Sequence, residues 1–179
     1  MTKQVLIAGF GGQGVLFAGK LLAYEGLLDG KEVSWLPSYG PEMRGGTANC
    51  SVTVSDAPIG SPIVANPDIL IAMNKPSLDK YLNETRVGGQ IFYDSSLIEG
   101  KVERDGVEIY PIPATKIADE QGLKTLANII MLGHMIAKND FVSLEGAKKA
   151  LSKVVSERHK DLLDFNVKAL TLGFDYSDK

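Results

Sequence analysis

Apolar residues enter this chain in short continuous runs and later settle into helical stripes. Val5-Leu6-Ile7-Ala8 is an apolar run that stops at Gly9, the form of a strand covered on both faces of a parallel sheet. From about Gly14 to Asp29 the period becomes helical. Val15, Ala18 and Leu22 share one face, Phe17, Leu21 and Leu28 lie beside them, and Gly30 is the stop signal. Val33 to Leu36 predicts a second strand, ended by Pro37. Ala48 to Ser55 alternates, with Ala48, Cys50, Val52 and Val54 on one face and Asn49, Ser51, Thr53 and Ser55 on the other. That pattern predicts a half-buried strand near a sheet edge. Ile69 to Met73 is another apolar run, Gln90 to Asp94 is a strand after the Gly88-Gly89 turn, and Val107 to Ile112 is a weaker candidate.

Beyond Ala114 the pattern is helical. Leu126 to Ala137 is apolar nearly all round, as in a helix buried in the domain or under a partner. Ser143 suits the N-cap of a helix carrying Leu144, Ala147, Leu151 and Val154 on one stripe. A last helix aligns Leu163, Val167 and Leu170 and ends near Gly173, before a polar tail. Strands that alternate with helices predict an α/β fold: a Rossmann-like three-layer sandwich with a mostly parallel sheet and helices on both faces. No repeat or linker divides the chain, so residues 1–179 are expected to form a single domain.

Composition narrows the function classes. The 19 basic and 22 acidic residues give a formal charge of −3, which supplies no long-range pull toward nucleic acid or an anionic membrane. Cys50 is the single cysteine, so this chain alone cannot house a disulfide framework, an iron–sulfur cluster or a thiolate zinc site. The start has too short an apolar run for a signal peptide, and no later run is long enough to span a membrane; a cytoplasmic protein is expected. His134 and His159 stand apart with no metal-ligand spacing, and Cys50, on the apolar face of its strand, is expected to be an inert buried thiol.

The strongest local signal is Gly9-Phe10-Gly11-Gly12-Gln13-Gly14, between the first strand and the first long helix. It has the G-x-G-x-x-G spacing in the strand–turn–helix context where glycines let a phosphate approach backbone N–H groups at a helix N-terminus. The plain alternative is a tight turn that packs helix on strand and binds nothing. An NAD site is disfavoured, because the second strand ends in Pro37-Ser38-Tyr39 rather than in the carboxylate that holds a ribose; Glu32 is at the wrong end. The loop from Pro37 to Gly46 follows that strand and should reach the same sheet edge. Ser38, Tyr39 and Arg44 offer donors there for a phosphate or carboxylate; the plain alternative is a structural loop in which Arg44 pairs with Glu42. Lys75, beyond the run ending at Met73, is a secondary phosphate candidate, and Asn128 in its apolar helix needs a hydrogen-bond partner.

GFGGQG from Gly9 to Gly14, followed by WLPSYGPEMRGGTANC from Trp35 to Cys50, resembles the gamma subunit of 2-oxoacid:ferredoxin oxidoreductases. SDAPIGSP from Ser55, DILIAMN from Asp68, NIIMLG from Asn128 and the closing helix around Asn166 extend the resemblance over nearly the whole chain. It implies one subunit of a larger enzyme, which converts a 2-oxoacid, coenzyme A and oxidised ferredoxin to acyl-CoA, CO2 and reduced ferredoxin. Thiamine diphosphate and the iron–sulfur clusters would sit in alpha, beta and ferredoxin-like delta partners, and none of them in this chain. The form PSYGPEMRGG is similar to the 2-oxoglutarate and branched-chain members, with 2-oxoglutarate preferred. The resemblance and the two loops together make Gly9, Gly11, Gly12, Gln13, Gly14, Ser38, Tyr39 and Arg44 the candidate coenzyme-binding residues. No catalytic or metal-binding residue is assigned. Competing readings are a subunit whose loops only dock its partners, a free-standing NAD(P)-binding oxidoreductase and a small-molecule regulatory module. Without partners, the chain could form a homodimer through apolar surface left uncovered.

Overall fold

The computed structural model describes residues 1–40 and 46–177. In chain order the elements are β1 (Thr2–Phe10), α1 (Val15–Leu28), β2 (Glu32–Tyr39), β3 (Thr47–Ser55), β4 (Ile69–Ala72), α2 (Lys75–Tyr81), β5 (Gln90–Asp94), β6 (Glu108–Ile112), α3 (Ala114–Glu120), α4 (Ala127–Ala137), α5 (Leu144–Val154) and α6 (Leu163–Phe174), with a 3₁₀ segment, Glu157–Leu162, before α6. The six described strands form one sheet in the order β2-β3-β1-β4-β5-β6. β1, β4, β5 and β6 pair in parallel, whereas β3 runs antiparallel to both β1 and β2. Five strands therefore point one way and β3 alone the other, so the sheet is mostly parallel, as the sequence pattern predicts.

Strand alternation sends side chains to two cores. Val5, Ile7, Ile69, Ile71 and Phe92 face the larger one with α1, α4, α5 and α6. Leu6, Leu70, Ala72 and Ile91 face the smaller one, closed by Leu78 of α2 and by Ile98. Each fully buried aliphatic side chain contributes roughly 1.5–3 kcal/mol, so the two-sided burial of β1 and β4 holds the centre of the molecule. α4 is buried on all sides, with Ile129 to Leu132 and Met135 at 0% exposure. Ser143 caps α5 as expected, its hydroxyl accepting the Gly146 N–H at 2.9 Å.

Two local expectations need correction, and one element is new. β2 does not end at Pro37 but runs on to Tyr39, with Pro37 opposite Cys50. β2 is an edge strand, where a residue without an N–H is tolerated when its nitrogen faces away from the neighbouring strand. The polar face of β3 is not solvated: Ser51, Thr53 and Ser55 are buried along with the apolar face. β3 lies one strand in from the edge, covered laterally by β2 and β1, and the Thr2 and Ser55 hydroxyls pair at 2.7 Å. α2 was not foreseen, since seven residues hold too few turns to show a period.

Candidate functional site

β1 delivers the glycine segment to the carboxyl edge of the sheet, where α1 starts. Gly14, at the N-cap of α1, has φ 71° and supplies no side-chain cap, and Gly12 has φ 98°. Both backbones lie in the left-handed region that glycine adopts without strain. A Cβ on Gly12 would meet nothing within 4 Å, so this residue leaves open space, whereas one on Gly14 would collide with the Asn128 carboxamide. The Asn128 Nδ2 donates to the Gly14 carbonyl at 2.9 Å, which gives the buried amide its partner and fastens α4 to the start of α1. Neither α1 nor α4 has a capping side chain or an acidic residue in its first turn. Their adjoining N-termini thus offer uncompensated positive dipole ends to an anion.

Gln13 does something the spacing rule does not specify. Its Oε1 accepts the Phe10 N–H at 2.7 Å, its Nε2 donates to the Met73 carbonyl at 3.0 Å, and the Asn74 amide donates to the same Oε1 at 3.4 Å. The carboxamide therefore bridges the ends of β1 and β4, at the place where a doubly wound sheet usually admits a nucleotide. Gly9 belongs to the same packing, since a Cβ there would crowd Gln13, Met73 and Val15. A space of about 170 Å³ stays open on this side, bordered by Gly12, Gln13, Met73, Asp119 and Ala127, and a larger one lies on the other side of the loop. Phe10, Gly11, Gly12, Gly14, Val15, Leu16, Phe17, Tyr39 and Ala48 line a pocket of about 390 Å³. The Gly11 N–H donates to the Gly46 carbonyl at 2.8 Å, which joins the glycine loop to the end of the second loop.

Of the sequence-predicted residues, the structure brings Gly11, Gly12, Gly14 and Tyr39 to this pocket. Gly9 and Gln13 build the turn beneath it. Ser38 is exposed and not among the lining residues, since alternation along β2 turns it to the face opposite Tyr39. Arg44 lies outside the described residues. Sequence reasoning missed Phe17 and Ala48 as wall residues; the helical stripe identified Phe17 only as core. β3 occupies the place beside β1 where a dinucleotide fold sets the strand bearing its ribose carboxylate, and Glu32 is exposed at the far end of β2.

The remaining candidates are structural. Lys75 pairs with Asp79 on the exposed side of α2. His134 packs edge-on against Phe92, Tyr110 and Tyr176 at 5.3–6.2 Å, and His159 bonds to Ser156 at 2.8 Å. Burial pushes the Cys50 thiol up to about 12, against weaker lowering by hydrogen bonds from Trp35 and Gly19, and its Sγ donates to the Val15 carbonyl at 3.4 Å. A thiol so held is a poor nucleophile and a poor metal ligand. Among the described residues no cluster of three metal-ligating side chains occurs, and no helix is long and apolar enough to cross a membrane.

Comparison with known proteins matches this architecture. Ketoisovalerate oxidoreductase subunit VorA of Methanothermobacter marburgensis is 40% identical over 177 residues, covering 98% of this chain and 37% of VorA. The chain thus spans little more than a third of that relative's length. 2-Oxoglutarate synthase subunit KorC of Methanocaldococcus jannaschii is 39% identical over 171 residues, 93% of this chain and 91% of KorC. The crystal structure of the keto/oxoacid ferredoxin oxidoreductase gamma subunit from Geobacter sulfurreducens superposes with a TM-score of 0.81 at 31% identity, covering 97% of this chain and 96% of that one. 2-Oxoglutarate:ferredoxin oxidoreductase from Magnetococcus marinus, solved with 2-oxoglutarate, coenzyme A and succinyl-CoA bound, gives a TM-score of 0.86 at 25% identity, over 96% of this chain and 30% of that one. The family profile described as pyruvate ferredoxin/flavodoxin oxidoreductase matches residues 4–176, and the chain belongs to that family.

Proposed function

We propose that this chain is the gamma subunit of a 2-oxoacid:ferredoxin oxidoreductase, with 2-oxoglutarate as the preferred acid and coenzyme A as its own ligand. The observation that carries the subunit reading is the match to KorC, 39% identical over 93% of this chain and 91% of KorC. Its chemistry agrees. One buried cysteine does not fit an iron–sulfur cluster, so the electron relay and thiamine diphosphate belong to alpha, beta and ferredoxin-like delta partners, and ferredoxin meets the complex through them. Thiamine diphosphate supplies the carbanion chemistry of decarboxylation when bound there. This chain contributes an open glycine loop, two uncapped helix N-termini and Tyr39, an arrangement suited to a diphosphate. Arg44 and Ser38 would add donors from the second loop.

A purely structural docking role is the second reading, favoured by Gln13 and Gly9 serving the turn. One experiment separates the two. The chain is affinity-purified from its host under anaerobic conditions, co-purifying proteins are identified, and coenzyme A-dependent viologen reduction is assayed with 2-oxoglutarate, ketoisovalerate and pyruvate. The same is done for Gly12→Ala, whose new methyl meets no neighbour within 4 Å but strains the left-handed backbone of the loop (φ 98°) and so displaces its N–H groups. The expected outcome is recovery of thiamine- and cluster-bearing partners, activity highest with 2-oxoglutarate, and a raised KM for coenzyme A in the variant. Normal assembly with an unchanged KM would favour docking, and recovery of the chain alone with a bound dinucleotide would sink the subunit reading.

A further inference from the structure

Beside the start of α6 the surface carries a shallow apolar groove. A depression of about 210 Å³ lies between Leu123 and Leu126, in the segment joining α3 to α4, and Leu162 and Phe165 at the α6 end. A second, of about 300 Å³, shares Leu126 and Leu162 with it and continues to Val155. Leu162 is 42% exposed and Phe165 50%, so two large apolar side chains stand at the edge of a hollow that is itself apolar.

The two walls of this groove differ in chemistry. The α3–α4 wall carries Lys124 and Thr125, both exposed. The other wall follows the sequence Asp161-Leu162-Leu163-Asp164-Phe165-Asn166, in which both aspartates are exposed. Lys124, Asp161 and Asp164 form no ion pair among the described residues. Asn166 lines both depressions and is 5% exposed. Its Nδ2 donates to the Leu162 carbonyl at 2.8 Å, while its buried Oδ1 accepts no hydrogen bond among the described residues. A buried acceptor in that state costs stability until a donor reaches it. Each wall therefore offers what the other lacks: a cation for two carboxylates, a hydroxyl for an acceptor, a hollow for an aromatic ring.

We propose that a second copy of this chain closes the groove, in a two-fold contact that sets the α3–α4 wall of each copy against the α6 wall of the other. Such a contact is self-complementary, so every pairing occurs twice. Phe165 of one copy enters the hollow beside Leu123 and Leu126 of the other. Lys124 faces Asp161 and Asp164, and the Thr125 hydroxyl donates to Asn166 Oδ1. A second copy supplies the missing groups of both walls at once, which favours it over an unrelated chain. The contact is small and reversible, with a dissociation constant of roughly 10–100 µM. It uses none of the glycine loop and does not depend on the coenzyme A reading.

Sedimentation velocity of the full chain over a concentration series tests this with three variants at exposed positions, Lys124→Glu, Asp164→Lys and Phe165→Ser. Wild type should shift from monomer to dimer, and each variant alone should weaken the dimer by about tenfold or more, a change of about 1.4 kcal/mol. Lys124→Glu sets like charges against the aspartates, and Asp164→Lys sets a lysine against Lys124. An equimolar mixture of these two variants should recover the wild-type affinity, because both contacts of the mixed dimer then join opposite charges. That recovery also shows that neither variant is misfolded. A wild-type chain that stays monomeric throughout the series would overturn the proposal and leave the groove to a partner subunit. A dimer that all three variants leave unchanged, or two weakened variants that fail to recover on mixing, would equally remove the two-fold contact at this surface.

Discussion

Glu25 is a carboxylate in the interior, 1% exposed, on the face of α1 that meets α5. Its Oε1 accepts the Ser143 N–H at 2.9 Å, at the N-terminus of α5, while Oε2 has no partner among the described residues. Burial pushes its pKa from 4.5 up to about 7; the Ser143 N–H opposes that rise and Asp29 reinforces it. The group binds its proton more tightly folded than unfolded, so its contribution to stability is complete below about pH 4.5 and is lost as pH rises through about 7. The loss is of order 3 kcal/mol at most, at 1.36 kcal/mol per pKa unit. Thermal melts from pH 5 to pH 8 should therefore show falling stability, and Glu25→Gln, which keeps the Ser143 bond and cannot ionise, should flatten the slope. Parallel curves for wild type and variant would show that Glu25 does not set the pH dependence.

At the scale of elements, α4 and α6 approach through two glycines. A Cβ on Gly133 would run into the Leu170 carbonyl, and one on Gly173 into the Ile130 carbonyl. In both cases the obstacle is backbone, which cannot rotate away. Gly133→Ala or Gly173→Ala must force the helices apart, a cost of about 1–3 kcal/mol by analogy with overpacked cores. Chemical denaturation should show that loss, and a variant as stable as wild type would mean the helices are free to slide. The sequence pattern already displayed β1, α1, β5 and α4, because continuous apolar runs and helical stripes are local signals. It also displayed the Ser143 cap, a short-range motif. It could not display this helix contact, the polar face of β3 under cover, or Gln13 bonded to Met73, since each depends on residues far apart in the chain. Half of the candidate site was legible for the same reason: the glycines and Tyr39 follow from a local motif, whereas Phe17 and Ala48 become walls only once β3 pairs with β1.

Over the whole molecule, the sheet ends differently at its two sides. β6 is short, while β2 offers eight residues at the other edge with Trp35, Leu36 and Tyr39 exposed and Glu32 as its one charged residue. Such an edge invites pairing with another strand, and natural sheets commonly guard it with charge or proline. Here Pro37 is the guard: with no N–H to offer, it interrupts the row of donors facing outward and leaves the β3 ladder intact. Replacing it with valine restores the donor and adds a residue that favours strands. The isolated Pro37→Val chain should therefore self-associate with rising concentration in sedimentation velocity, through β2 pairing with β2 of a second copy. A following Trp35→Lys substitution should reverse this by placing a charge on the same edge. If Pro37→Val sediments as wild type does at every concentration, the edge is protected by something other than its proline. If it associates and Trp35→Lys has no effect, the copies meet elsewhere.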